Sequence, residues 1–158
     1  AAKGLAWGGE LPCAGCSTLE SMAWNLVGFE GEVCVAMDAR RKQVYNARFR
    51  VDGEQPHRLT PDRAISLEDL IAELQGTETT QIIVGDGAKL CYDALTAAGI
   101  PAKLAPPNLR MQSAWGVARL ALEKARNGKT ITANELAPVY HRLSQAERER
   151  LEREGKNP

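Results

Sequence analysis

The segment from residue 32 to residue 51 constrains the fold most. It opens with five consecutive apolar residues, 33–37, and after a short polar connection apolar and polar residues alternate over 45–51. The apolar run is typical of a strand buried on both faces, and the alternation is typical of a strand with one face in water. Because the connection is short, we predict an antiparallel hairpin whose loop presents Asp38 and Arg40 at one end of a sheet.

Two further stretches combine helix-capping residues with apolar residues at helical spacing. Ser17 and Glu20 have the spacing of a reciprocal capping box, and the pattern after them predicts a helix of about three turns that Gly28 ends. Ser66 precedes a second pattern of this kind. Between the two helices, residues 56–60 are expected to add a short strand.

The second half of the chain contains the pattern of a β-α-β unit. Residues 81–84 are an apolar core strand, a glycine-rich turn at 85–87 leads into a helix, and the apolar residues 100–104 follow. Such a unit places its two strands parallel with a right-handed crossover. A longer, alanine-rich helix is predicted over residues 112–127, and residues 131–142 are predicted to be irregular.

This order of elements predicts an α/β fold with a mixed sheet of four or five strands and helices packed against it. Residues 10–143 are expected to form the main lobe. Residues 1–9 are expected to be the remnant helix of a lobe that the sequence does not contain. Residues 144–158 are expected to form a charged helix and tail, with Ser144 as its cap.

The charge balance excludes a broad electrostatic attraction to nucleic acid. Twenty basic and twenty acidic residues cancel among 158, so a role with RNA is expected to be indirect, through partner proteins. No apolar run approaches the roughly 18 residues of a membrane span, and the first residues lack the pattern of a secretory leader. We therefore expect a cytoplasmic protein without a membrane partner.

The four cysteines are interpreted as buried free thiols. Cys13 and Cys16 form a C-x-x-C motif, but zinc sites usually need a second pair of ligands, and Cys34 and Cys91 are isolated within apolar stretches. A surface redox pair made by Cys13 and Cys16 is the alternative.

Two loops contain candidate ligand contacts. Gly85, Asp86 and Gly87 lie between a strand and a helix, where a phosphate could rest on free backbone amides, and the alternative is that the glycines only shape the turn. Asp38 and Arg40 could contact a nucleotide or a partner chain, and the alternative is an ion pair within the loop that fixes the turn.

Catalytic signals are weak elsewhere. Arg142 is a candidate for a specific hydrogen bond, and Tyr45 is expected to be a core or sheet-face residue. The only histidines, His57 and His141, lie in no metal-binding spacing, and no serine lies in a G-x-S-x-G elbow. No metal site and no catalytic residue are therefore predicted.

An ordered set of short motifs resembles the bacterial TsaB (YeaZ) family. Its members in this chain are Gly4-Leu5-Ala6, Pro12 before Gly15-Cys16-Ser17-Thr18-Leu19, Asp38-Ala39-Arg40 with Val44-Tyr45, Gly85-Asp86-Gly87, and Pro138-Val139-Tyr140 with Arg142. The resemblance covers nearly the whole chain and about the last two-thirds of such a protein. It implies the C-terminal lobe of an actin-like, ribonuclease-H-like fold.

The resemblance also implies a function, a set of partners and a role for nucleotide. Proteins of this family are non-catalytic subunits that support a TsaD-type catalytic subunit and a TsaE-type ATPase in making threonylcarbamoyladenosine in tRNA. ATP or ADP belongs to the full-length complex, and this chain alone is expected to bind neither nucleotide nor catalytic partner. Two alternative functions stay open: half of a metallopeptidase (glycoprotease-like) or phosphotransferase active site, and a stand-alone interaction module. Pairing as a homodimer stays open with any of these functions.

Overall fold

The predicted hairpin and β-α-β unit are the centre of the structure. The computed structural model describes residues 1–139 and residue 153. Its helices and strands in chain order are α1 (Ala2–Gly8), α2 (Thr18–Trp24), β1 (Glu30–Asp38), β2 (Gln43–Asp52), β3 (Pro56–Arg58), β4 (Arg63–Ser66), α3 (Leu67–Leu74), β5 (Gln81–Val84), α4 (Ala88–Ala97), β6 (Ala102–Leu104) and α5 (Ala114–Arg126), with a 3₁₀ turn at Pro107–Leu109.

The strands form one mixed sheet in the order β3-β2-β1-β5-β6, and β4 also pairs with β2. β1 pairs antiparallel with β2 and parallel with β5, and β5 pairs parallel with β6. The sheet thus has six strands, so the predicted four or five was too few. β4 was missed because it has only four residues and stays on the sheet through its pairing with the first half of β2.

Strand β1 is buried on both faces, as its apolar run predicts. Val33 and Val35 pack in a cluster with Met22 of α2 and with Leu26, which follows that helix. The alternate residues of β1, among them Cys34, pack in a second cluster with α3 and α4. Helices therefore cover both faces of the sheet at the middle of β1.

Two helix boundaries follow from the capping residues. The Ser17 hydroxyl accepts from the amide of Glu20 at 3.1 Å, and the Ser66 hydroxyl accepts from the amide of Asp69 at 3.0 Å. The reciprocal half of the first box is absent, because the Glu20 carboxylate accepts from Arg58 at 2.7 Å. α2 is also shorter than the predicted three turns, since i→i−3 bonds tighten the backbone after Trp24.

Helix α5 packs on α2 rather than on the sheet. Gly116 is buried at this crossing, where an added Cβ would lie 2.2 Å from the carbonyl oxygen of Ser21. The buried residues of α5 are Gly116 and Leu120, and the rest of the helix is exposed or half-buried. The chain after α5 pairs with the start of the chain through Cys13 and Ile131, whose backbone bonds are both 2.8 Å.

The first residues of the chain form a helix, and most of the last ones lie outside the described residues. α1 is helical as predicted, with Leu5 and Trp7 exposed. The predicted helix after Ser144 lies outside the described residues apart from residue 153, and so does Arg142. None of the described helices has the length and hydropathy to cross a membrane.

Candidate functional site

The two predicted site loops meet at one edge of the sheet. Because β1 and β5 are parallel, with Val35 opposite Val84, both strands end at that edge. Asp38 is the last residue of β1, and Asp86 lies in the turn directly after β5. The backbone amide of Asp38 donates to Oδ1 of Asp86 at 3.1 Å. In parallel α/β sheets this carboxyl edge is where ligands usually bind.

The amides of Gly85 and Gly87 are not free to hold a phosphate. The Gly85 amide donates to the carbonyl of Arg110 at 2.7 Å, and the Gly87 amide donates to the carbonyl of Ala36 at 3.1 Å. The expectation of free amides was wrong for both glycines. A nucleotide contact by other groups of this turn, including the Asp86 side chain, stays a prediction.

The glycines of the turn are required by close packing against β1. A Cβ on Gly85 would lie 2.0 Å from the carbonyl oxygen of Ala36, and Gly85 has φ +108°. A Cβ on Gly87 would lie 2.9 Å from the amide nitrogen of Asp38. The turn therefore shapes and supports the end of β1.

The hairpin tip contains no ion pair between Asp38 and Arg40. Instead, Oδ1 of Asp38 accepts from the backbone amide of Arg40 at 2.7 Å. The expected ion pair was therefore wrong, and the carboxylate fixes the turn through the backbone. The amide of Gln43 then donates to the carbonyl of Arg40, and the amide of Ala39 donates to the carbonyl of Gln43, both at 3.0 Å.

Three consecutive residues of the tip have a left-handed backbone. Arg40, Arg41 and Lys42 have φ values of +66°, +53° and +58°. For residues with a side chain this conformation costs roughly 1–2 kcal/mol each, and glycine is the residue that normally occupies it. In this chain, three exposed cationic residues occupy it instead. Sequence patterns did not predict this geometry.

The body of the hairpin carries an ion network on the face that meets α3. Arg48 donates to Glu32 at 2.8 Å and to Glu73 at 2.9 Å, and Arg63 donates to Glu73 at 2.6 Å. A hydrogen bond from Gln81, together with those from the arginines, lowers the pKa of Glu32. Burial raises the pKa of Glu73, but the bonds from Arg48 and Arg63 outweigh it and the net shift is downward.

A groove of about 1080 Å³ lies beside the candidate edge, between α1, α2, α5 and residues 131–139. Met37 and Tyr45 of the hairpin line it, and Tyr45 also packs against the core, as predicted. The Ser17 hydroxyl donates to Oδ2 of Asp62 at 2.5 Å in its wall. Asp62 was missed because nothing in its local sequence links it to Ser17.

The cysteines divide into two kinds. Cys34 and Cys91 are buried free thiols, as predicted, and hydrogen bonding to Cys34 together with burial raises the pKa of Cys91. Cys13 and Cys16 are also free but only half-buried, so burial of all four was wrong. Burial raises the pKa of Cys16.

The histidine that the structure describes lies far from the candidate edge. His57 contacts Oδ2 of Asp52 at 2.5 Å, at the end of β2 opposite to the hairpin tip. Backbone donation from Gln55, followed by the bond with His57, lowers the pKa of Asp52 to about 2. Within residues 1–139 and residue 153, no three His, Cys, Asp or Glu side chains are grouped so as to hold a metal ion.

A match to a protein-family model shows which family the chain belongs to. Residues 1–149 match the family model described as TsaD, tRNA N6-adenosine threonylcarbamoyltransferase. The chain belongs to this family. Its similarity to named relatives places it with the TsaB/YeaZ-type members, as the sequence motifs indicated.

Two relatives carry the name tRNA threonylcarbamoyladenosine biosynthesis protein TsaB. The protein of Bacillus subtilis (strain 168) is 29% identical over 155 residues, which is 96% of this chain and 65% of the relative. The protein of Escherichia coli (strain K12) is 30% identical over 145 residues, which is 89% of this chain and 62% of the relative. This TsaB/YeaZ-type chain thus spans less than two-thirds of the length of either relative.

Two solved structures from Pseudomonas aeruginosa share the fold. One is described as an uncharacterized protein with similarity to peptidase YEAZ, with a TM-score of 0.70 and 20% identity, and it matches 89% of this chain and 63% of its own. The other is YeaZ, with a TM-score of 0.68 and 21% identity, matching 87% of this chain and 64% of its own. The predicted actin-like, ribonuclease-H-like α/β fold of the TsaB/YeaZ-type chain is confirmed.

Proposed function

We propose that the chain takes part in making threonylcarbamoyladenosine in tRNA, in the cytoplasm, as a non-catalytic subunit beside a TsaD-type catalytic subunit and a TsaE-type ATPase. The observation that carries this proposal is the family match over residues 1–149, joined to two relatives whose names state this biosynthesis. The partners and the non-catalytic role are parts of the proposal.

The geometry of the candidate edge supports a non-catalytic role. Asp38 and Asp86 each have an oxygen engaged by a backbone amide, so both carboxylates fix the loops. General acid or base chemistry instead needs a carboxylate or imidazole aimed at a substrate. His57 is at the other end of β2, paired with Asp52. We therefore assign to this edge a role in contacting other molecules and not in catalysis.

A complementation experiment tests the proposal. The parent gene of this chain, at its full length, is expressed in Bacillus subtilis cells depleted of their own TsaB, and threonylcarbamoyladenosine is measured by mass spectrometry of nucleosides from total tRNA. We expect the modification to return. Accumulation of folded protein without any return of the modified nucleoside would show that the proposal is wrong.

A His57→Gln variant separates the proposal from the metallopeptidase alternative. Because His57 lies on strand β3 with its side chain half exposed, away from the candidate edge, the variant should restore modification as well as the parent gene. Loss of modification with an unchanged melting temperature would favour an enzyme that uses this histidine.

A further inference from the structure

The hairpin tip gathers three unpaired positive charges on a chain whose total charge is zero. Arg40, Arg41 and Lys42 are exposed, and none of their side chains makes a hydrogen bond or ion pair with a residue that the structure describes. The arginines in the body of the same hairpin differ: Arg48 and Arg50 both pair with Glu32. The tip is therefore a local cationic site within a neutral protein.

Neither Asp38 nor Asp86 forms an ion pair with the tip, and the three cations outnumber these two neighbouring acids. Asp38 has Oδ1 on the amide of Arg40, and Asp86 has Oδ1 on the amide of Asp38. The carbonyl of Lys42 accepts from the amide of Leu67 at 3.1 Å, which ties the far side of the tip to the start of α3. These bonds hold the backbone in a conformation that arginine and lysine rarely adopt. Strained backbone that the surroundings hold in place is typical of functional sites.

The left-handed backbone determines which ligand the tip fits. Successive residues in this conformation are rotated by about 100°, as in the mirror image of an α-helix, so the three side chains of residues 40–42 leave the tip in different directions. This divergence favours several separate anions over a single phosphate or carboxylate as the ligand. A chain of regularly spaced anions can meet all three, and the sugar-phosphate backbone of a nucleic acid is such a chain.

We propose that the tip formed by Arg40, Arg41 and Lys42 binds the phosphate backbone of RNA. This inference rests on the proposed function, which makes the RNA a tRNA. It replaces the expectation that contact with tRNA is only indirect, since that expectation came from the total charge and not from where the charges lie. The contact is to backbone phosphates and positions the RNA without reading its sequence.

Direct binding by the 158-residue chain tests the proposal, with unmodified tRNA transcript as the probe in fluorescence anisotropy. The test variant is Arg40→Gln/Arg41→Gln/Lys42→Gln. The matched control is Lys103→Gln/Arg126→Gln/Lys129→Gln, which removes three equally exposed cations that are unpaired in the described structure. Circular dichroism and melting temperature establish that both variants fold. A charge-keeping variant, Arg40→Lys/Arg41→Lys, should bind as the parent does.

We expect the tip variant to bind at least tenfold more weakly, with the control within twofold of the parent chain. The slope of log affinity against log salt should fall by about 2–3 in the tip variant, because each phosphate contact contributes about 0.7–0.9. Equal loss in both variants, no loss in the tip variant, or no binding by the parent chain at 100 µM, on the order of the non-specific range, would overturn the proposal.

Titration with Mg-ATP distinguishes a mononucleotide from RNA as the source of the phosphates. ATP binding that the tip substitutions abolish, with tRNA binding unchanged, would overturn the assignment to RNA. The outcome is independent of the complementation experiment. If the gene restores modification but the chain does not bind tRNA, only this inference is refuted. If the chain binds tRNA through the tip but the gene does not restore modification, only the proposed function is refuted.

Discussion

The carbonyl oxygen of Ala36 occupies the space that a side chain on Gly85 would need, since a Cβ there would lie 2.0 Å from this oxygen. The contact joins the turn after β5 to the second half of β1, the strand that leads into the hairpin tip. It explains why a glycine lies there without any need for a bound phosphate.

Gly85→Ala should destabilise the fold by about 3 kcal/mol, since overpacking costs about 1–3 kcal/mol and the positive φ adds about 1–2 kcal/mol. The melting temperature should fall by about 6–12 °C. Gly99→Ala is the control, because Gly99 has φ +75° but nothing within 4 Å of its added Cβ. It should cost about 1 kcal/mol. Equal losses in calorimetry would mean that backbone conformation alone matters at Gly85.

Gly116→Ala should lower stability although alanine is the better helix former. Its Cβ would lie 2.2 Å from the carbonyl oxygen of Ser21, so α5 would be pushed away from α2. We expect a loss of about 1–3 kcal/mol in urea denaturation. Gly4→Ala in α1 has nothing within 4 Å and should instead be neutral or stabilising by up to about 1 kcal/mol. A stabilising Gly116→Ala would show that the two helices do not pack as described.

Glu32→Gln should remove part of the acid sensitivity of the fold. The pKa of Glu32 is lower in the folded chain than its ordinary value of 4.5. Its ionised form therefore stabilises the fold above about pH 4.5, and this contribution disappears as pH falls through the folded pKa. The stability difference between the parent chain and the variant should be about 1–3 kcal/mol at pH 7 and should shrink by pH 3.

Asp93→Asn is the control for this experiment. Asp93 pairs with Lys89 on the surface, where the two side chains are 55% and 70% exposed. Exposed pairs of this kind contribute about 0–1 kcal/mol. A difference between the parent chain and Glu32→Gln that stays constant from pH 7 to pH 3 would contradict the ionised, hydrogen-bonded Glu32.

The cysteines should react with iodoacetamide in two groups. Cys34 and Cys91 are fully buried, so they should stay unmodified until the chain unfolds. Cys13 and Cys16 should be alkylated in the native chain, and because burial raises the pKa of Cys16, its reaction should be slow at neutral pH and should accelerate as the pH rises. Peptide mass spectrometry measures each site. If native Cys34 were labelled as fast as Cys13, its buried position on the face of β1 that packs against α4 would be contradicted.

Local patterns predicted the elements whose signals are complete within a few residues. The apolar run and the alternation after it gave the β1–β2 hairpin, and residues 81–84 gave β5 with its exact limits. Ser17 and Ser66 cap the helices that they were expected to cap. β4 was not predicted, because a four-residue edge strand is stable only through its pairing with β2.

The amino-acid sequence by itself determined the hairpin, the β-α-β unit and the family resemblance, because side-chain periodicity and turn residues act over short distances. Only the tertiary structure decided that Asp38 meets Asp86, that the amides of Gly85 and Gly87 are already bonded, and that the cations of residues 40–42 pair with none of the residues that the structure describes. Two of these features, the bond between Asp38 and Asp86 and the bond between Gly87 and Ala36, join β1 to residues about fifty positions later in the chain. Such contacts form only when the parallel pairing of β1 with β5 brings distant backbone groups within hydrogen-bonding distance.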